Sequence, residues 1–155
     1  MKVSIFAATA AGVLIAQSAF GQERLEINNF YPLSGETIDL DGRVFFTQDN
    51  RGHFEVVEGP IKEGPARCVG SGFGYQDGTN TIQGICIFGE GDATFTMKWK
   101  AGEKGEANTW TIVAATGAYK GMTGEGIATT AKQVMYKAMP LRQTHIVGTV
   151  EMPKE

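Results

Sequence analysis

The chain is predicted to be all-β and antiparallel, on three observations. Glycine is abundant, 21 of 155 residues, and falls at turn-like spacing, while long helical periodicities are few. About eight short runs rich in Val, Ile, Thr and aromatic residues are separated by Gly, Asp, Asn or Pro. In one of them Phe95, Met97 and Trp99 alternate with Thr94, Thr96, Lys98 and Lys100, the pattern of a strand with one apolar and one wet face. A chain of this kind folds as a barrel or a sandwich.

The first residues form a leader. Met1–Gly21 carries one positive charge, Lys2, no acid, and an apolar run from Val3 to Ala16. Ala19-Phe20-Gly21 places small residues where a signal peptidase reads, so cleavage is expected before Gln22. The run is short for a membrane span and no second one follows, so stable membrane insertion is not expected. Residues 22–155 are then a single domain in a secreted or periplasmic protein. They hold 13 basic against 17 acidic residues, scattered rather than clustered. Nucleic acid and anionic membrane surfaces are therefore disfavoured partners.

The mature chain opens with a strand over Glu23–Phe30 that ends at Pro32. Ser34-Gly35 is a turn. Thr37–Thr47, broken at Asp41-Gly42, reads as two short strands or one bent one. Asp49-Asn50-Arg51-Gly52 is a turn signal, His53–Val57 a strand, and Ile61–Pro65 a loop. Ala66–Gly74 and Thr79–Phe88 flank Tyr75-Gln76-Asp77-Gly78, a hairpin signal. Cys68 and Cys86 are equidistant from Asp77, which sets them opposite one another across that hairpin. Cross-strand Cα separations of ~4.5–5.5 Å permit a disulfide, and an exported chain with two cysteines is expected to form it. Gly70, Gly72 and Gly74 share the face of Cys68, so either a bulky group packs over them or the sheet bends sharply there. Gly89-Glu90-Gly91-Asp92 is a turn, then comes the alternating strand, then a charged loop over Ala101–Ala107. Ala131–Met139 suits either a short helix or an extended path, and the extended one is favoured. Thr144–Met152 closes the chain as a strand.

Between these lies Thr109–Thr130: a strand through Trp110–Val113, glycines at 117, 121, 124 and 126, and a second strand. Gly121-x-x-Gly-x-Gly is not a phosphate cradle, because β-formers follow it where a helix N-terminus is required. The run Thr116-Gly117-Ala118-Tyr119-Lys120-Gly121, a strand ending in T-G-x-aromatic-x-G before a glycine-rich strand, resembles the motif of the allene oxide cyclase and dirigent barrels. It is also similar to small secreted bacterial proteins of that kind. The resemblance covers about twenty residues well and Cys68–Trp99 more loosely. It implies a closed or nearly closed antiparallel β-barrel of about eight strands, calycin-like, and a homo-oligomer, trimeric in plant members. None of those families' catalytic residues matches a position here.

Candidate chemistry is sparse. His53 and His145 lie in no metal-ligand spacing, so no metal site is expected. Ser34 and Ser71, the serines left after the leader, lack a nucleophile elbow. Asp39-Leu40-Asp41-Gly42 opens like a calcium loop, but Arg43 stands where an oxygen ligand belongs and Asn50 where a bidentate Glu does. Glu26, Asp39, Asp41 and Glu125 lie in or beside strands. An inward carboxylate would have a raised pKa and serve proton transfer, with Glu125 in the glycine corner the candidate catalytic group. Phe95, Met97, Trp99 and Trp110 are the candidate ligand-binding residues, set to line an apolar cavity. Three functions follow: a binder of a small apolar molecule in the barrel mouth, a cofactor-free cyclase or isomerase as the resemblance implies, or a structural envelope protein with a filled barrel. None needs a cofactor. A dry aromatic pocket favours the first, an inward acid the second, and a filled interior the third.

Overall fold

The structure is a computed structural model that describes residues 21–32, 34–136 and 139–153. Apart from Gly21, the expected leader lies outside the described residues. Among the described residues nine strands follow one another: β1 (Gln22–Tyr31), β2 (Gly35–Leu40), β3 (Arg43–Glu58), β4 (Gly64–Tyr75), β5 (Gln83–Glu90), β6 (Ala93–Lys100), β7 (Asn108–Ala115), β8 (Thr123–Tyr136) and β9 (Met139–Glu151). From β2 to β9 each pairs antiparallel with the next, and β1 pairs with both β9 and β3. Eight strands thereby close into a ring, and β2 stands outside it along the first half of β3. The fold is the antiparallel barrel that the sequence predicts.

β1 and β2 form one interrupted arm. Phe30 pairs with His53 and Gly35 with Gln48, so the register along β3 is kept across the break. Pro32, with no N–H to offer a ladder, ends β1. Ser34 N–H then donates to Asn50 Oδ1 at 2.9 Å, which holds the break against β3. The turn from β2 to β3 is Asp41-Gly42, both at positive φ (33° and 86°), as a two-residue hairpin of the primed kind requires.

Two expectations are corrected. Asp49–Gly52 is not a turn but the middle of β3, each residue paired with β4 from Val69 to Ala66. Its polar residues answer to tertiary partners: Asp49 accepts two hydrogen bonds from Arg67, at 2.9 and 2.8 Å, and Asn50 is buried. Gly52 is needed because a Cβ there would collide with the backbone of Phe30. The loop over Ile61–Pro65 is shorter than expected, since β4 begins at Gly64. The extended path expected over Ala131–Met139 is strand as far as Tyr136 and again from Met139, after a bulge between Thr129 and Lys132. Residues 137–138 lie outside the described residues.

Pairing partners trace a row around the barrel: Leu25, Gly148, Gly126, Trp110, Trp99, Gly84, Gly70, Gln48, Gly35. The row leaves the β1–β2 arm at Leu25 and returns to it at Gly35, ten residues further along. That stagger is the barrel's shear, and it requires the strands to tilt against the barrel axis.

The interior has two halves. The lower end is plugged by Phe54, Phe88 and Phe95, all fully buried, with Tyr119 set edge-on to Phe95 at 5.7 Å. Phe54 meets Phe88 edge-on at 5.2 Å, and Phe88 stacks on Phe95 at 5.1 Å, the geometries aromatic rings favour. The T-G-x-aromatic-x-G motif supplies part of this plug. Thr116 Oγ1 donates to Asp92 O at 2.7 Å, a 3₁₀ turn at Gly117–Tyr119 carries the chain across the barrel end, and Tyr119 points in. Its hydroxyl accepts from Lys62 N–H at 3.0 Å.

Candidate functional site

Above the plug the barrel is partly open, with a cavity of about 240 Å³. Inward positions of the strands make its wall, and the wall has two characters. Strands β4 to β7 supply an apolar side: Cys68, Cys86, Met97, Trp99 and Trp110, with Phe88 below. The adjacent strands β9, β1 and β3 supply most of the polar groups, Thr144, Asn29, Tyr31, Gln48 and Asn50, beside Ile146 and Phe46, and Asn108 of β7 adds an amide.

The apolar side rests on one covalent link and one packing device. Cys68 and Cys86 are directly paired and joined by a disulfide, Cα–Cα 4.0 Å, as their spacing about Asp77 predicts. The two tryptophans are neighbours across β6 and β7, and each indole lies over glycines on the strands beyond. A Cβ on Gly70 would sit 2.3 Å from Trp99 Cζ2, and one on Gly148 would sit 2.4 Å from Trp110 Cζ2. Gly84 and Gly126 complete the two beds. Of the three glycines on the inner face of β4, Trp99 covers Gly70, the backbone of Thr81 and Ile82 lies against Gly72, and Gly74 has no neighbour within 4 Å among the described residues.

The polar side is largely self-satisfied. Tyr31 Oη and Thr144 Oγ1 share a hydrogen bond of 2.7 Å, and Asn50 Nδ2 donates to Gln48 Oε1 at 3.1 Å. Trp110 Nε1 donates to Ile127 O at 3.0 Å. Two buried polar atoms, Asn29 Oδ1 on the polar side and Trp99 Nε1 on the apolar side, make no hydrogen bond among the described residues, and neither is open to the cavity. Asn29 Nδ2 reaches only the Cys68 sulfur, at 3.7 Å, a weak acceptor.

Met97, Trp99 and Trp110 thus line the cavity, whereas Phe95 sits beneath it in the plug. Glu125 lies on β8 paired with Thr149 and Thr111, with its side chain exposed on the outer surface beside a shallow external groove. Asp39 and Asp41 are exposed at β2 and its turn. Glu26 is on the outer face too, between Arg24 (2.5 Å) and His145 (3.0 Å). The hydrogen bond from Arg24, then that from His145, holds its carboxyl below the usual range. Among the described residues no Asp, Glu, His, Lys or Arg lines the cavity, and no cluster of three His, Cys, Asp or Glu is placed to hold a metal.

Sequence reasoning missed the polar side. Its signal was present in phase: Leu25, Ile27, Asn29 and Tyr31 alternate inward along β1, and Phe46, Gln48 and Asn50 along β3. An amide inside an otherwise apolar alternation marks a wall that faces something polar.

No protein-family model matches the chain, and no curated protein matches it. Among solved structures the chain is similar to the pterocarpan synthase dirigent protein, at 13% identity and a TM-score of 0.51, over 97% of this chain and 100% of that one. The described residues therefore carry a dirigent-like barrel fold.

Proposed function

We propose that the protein is an exported, non-enzymatic binder of a small, mostly apolar molecule held in the upper half of the barrel. The observation that carries this is the cavity itself, about 240 Å³ between the aromatic plug and the barrel mouth. A cavity of roughly 150 Å³ accommodates benzene, so this one suits a molecule of one or two rings. Its volume speaks against a filled, purely structural barrel. The disulfide supports an oxidising compartment. No helix among the described residues is long and apolar enough to cross a membrane.

The dirigent neighbour is named a synthase, and a cyclase was the second expectation. Proton transfer by a carboxylate requires that carboxylate inside, and Glu125, Glu26, Asp39 and Asp41 all lie on outer or rim surfaces. Tyr31 is the ionisable group among the lining residues, and its hydroxyl is engaged by Thr144. The lining supports retention of a molecule rather than its conversion.

Native mass spectrometry of the protein secreted by its own cells tests the reading. A stoichiometric small molecule that survives purification and is lost from a cavity-filling Ala128→Phe variant is the expected result. Failure of native protein to retain anything, together with no quenching of Trp99 and Trp110 fluorescence by small apolar aromatics, would overturn it.

A further inference from the structure

We infer that the ligand carries one carboxylate, held by Arg142 at the barrel mouth while its apolar body lies in the cavity below. This rests on the binding reading above and names the charged group by which the ligand is recognised.

Position comes first. Thr144 and Ile146 of β9 line the cavity. Strand alternation gives Arg142 the same face, one inward step nearer the open end. Its direct partner on β1 is Tyr31, itself a lining residue and bonded to Thr144 at 2.7 Å. Arg142 is half-buried and stands just above the lining. The step from Thr144 is two residues of strand, about 7 Å, a span that an arginine side chain covers.

Charge comes next. On the eight strands of the ring, the inward positions from the plug upward are apolar, amide or hydroxyl, and Arg142 is the one charged residue in that phase among the described residues. It also differs from the other four arginines of the chain. Arg24, Arg51 and Arg67 are paired with acids, and Arg43 lies over the Phe73 ring. Arg142 has no ion pair, hydrogen bond or ring contact among the described residues. The acids toward this end of the barrel do not reach it. Asp39 is eight positions beyond Tyr31 on the β1–β2 arm and outside the ring. In the loop between β6 and β7, Glu103 is held by Lys100 at 3.6 Å and Glu106 is exposed.

The ligand's chemistry follows. An ion inside the cavity would leave water and meet no counter-charge, which is prohibitive, so an ionised group on the ligand has to stay at the rim. There the guanidinium fork matches the two oxygens of a carboxylate, and one cation balances one negative charge. Below it the body faces Met97, Trp110 and the disulfide. The ligand is thus a monocarboxylate whose one or two rings are joined to the acid by a short chain that spans the step to Arg142.

The test uses hydrocinnamate and three analogues with the same ring and chain: hydrocinnamamide and hydrocinnamyl alcohol, both neutral, and phenylpropylamine, a cation. Binding to the purified protein is read by tryptophan fluorescence and calorimetry at about pH 7, where the acid and the amine are both charged. Hydrocinnamate is expected to bind at least about tenfold more tightly than the amide or the alcohol, and the amine most weakly. Arg142→Gln should remove that advantage and leave the two neutral affinities unchanged. Lys132→Gln, which removes a cation from a groove on the outer surface, should change none of them. If the neutral analogues bind as tightly as the carboxylate, the binding reading stands and the carboxylate inference falls. If no compound binds and the fluorescence is unmoved, the binding reading falls with it. If the preference for the carboxylate survives Arg142→Gln, the assigned partner is wrong and the inference falls. Arg142→Lys, which keeps the charge and loses the fork, should retain part of the preference, and it decides the matter where the glutamine variant does not fold.

Discussion

Replacing Gly70 by alanine tests the packing on which the cavity wall depends. The backbone at Gly70 is not in the left-handed region, so alanine is conformationally permitted there. Taken alone, the exchange would stabilise the protein by about 0.4–1 kcal/mol through the unfolded chain. The added methyl, however, meets Trp99 Cζ2 at 2.3 Å and Cη2 at 2.8 Å, and Gln83 O at 2.9 Å. Overpacking of this kind costs about 1–3 kcal/mol, so the net expectation is a loss of about 1–2 kcal/mol. For a domain of this size that lowers the melting temperature by roughly 4–8 °C in calorimetry. The two shortest contacts are with the benzo edge of the indole, which phenylalanine lacks. In a Trp99→Phe background the contact with Gln83 O remains, so the same Gly70→Ala change should cost clearly less than in the wild type without becoming free. The double-mutant cycle should therefore show coupling of at least about 1 kcal/mol. Gly84→Ala is the internal control: its methyl meets Val69 O at 2.0 Å, which is backbone, so Trp99→Phe should not rescue it. Equal effects of Gly70→Ala in both backgrounds would refute the indole-on-glycine arrangement.

Removing the Cys68–Cys86 link, 18 residues apart, by a double alanine change or by reductant should cost about 3 kcal/mol by the chain-entropy argument, read as a shift in urea midpoint. Asp49, hydrogen-bonded by Arg67, has its carboxyl held below the ordinary 3.8. The unfolded chain then takes up that proton before the folded chain does. The pair's contribution is complete above the ordinary value and is lost as pH falls below it. Asp49→Asn should flatten the stability–pH slope in that acid range and nowhere else, and the effect should be small because both groups are exposed. Glu125→Gln should leave the dissociation constant of hydrocinnamate unchanged, since that side chain is outside the barrel.

Much of the barrel was legible because strand alternation and hairpin chemistry are local. Asp77-Gly78 set the Cys68–Cys86 register correctly, and Asp41-Gly42 marked a true hairpin. Asp49–Gly52 misled because the same residues that favour turns also serve a long strand when partners lie across it. Arg67 and Ser34, distant in sequence, decided the matter. The site was half legible. Met97, Trp99 and Trp110 announce an apolar wall by their type and phase. Asn29 and Gln48 do not, because an inward amide is distinguished from a solvent-facing one only by the parity of its strand, and one missed bulge or turn inverts that parity.

The glycines explain why there is a cavity at all. The inward side chains of a closed eight-stranded barrel suffice to fill it, and the Phe54–Phe88–Phe95 plug does so at the lower end. Two tryptophans at one level would be expected to fill the upper end even more completely. They do not, because Gly70 and Gly84 on one side and Gly126 and Gly148 on the other let each indole fold back along the wall. Ring area that would have crossed the bore is laid against bare backbone, and the axis is left open to a ligand. The stability test is thereby a functional one as well. In Gly70→Ala the displaced Trp99 ring has the bore to move into. Binding of a one-ring probe should then weaken together with stability, and Trp99→Phe should restore the volume and the binding. Loss of stability in Gly70→Ala with no loss of affinity for a one-ring apolar probe would mean that the displaced indole does not enter the bore.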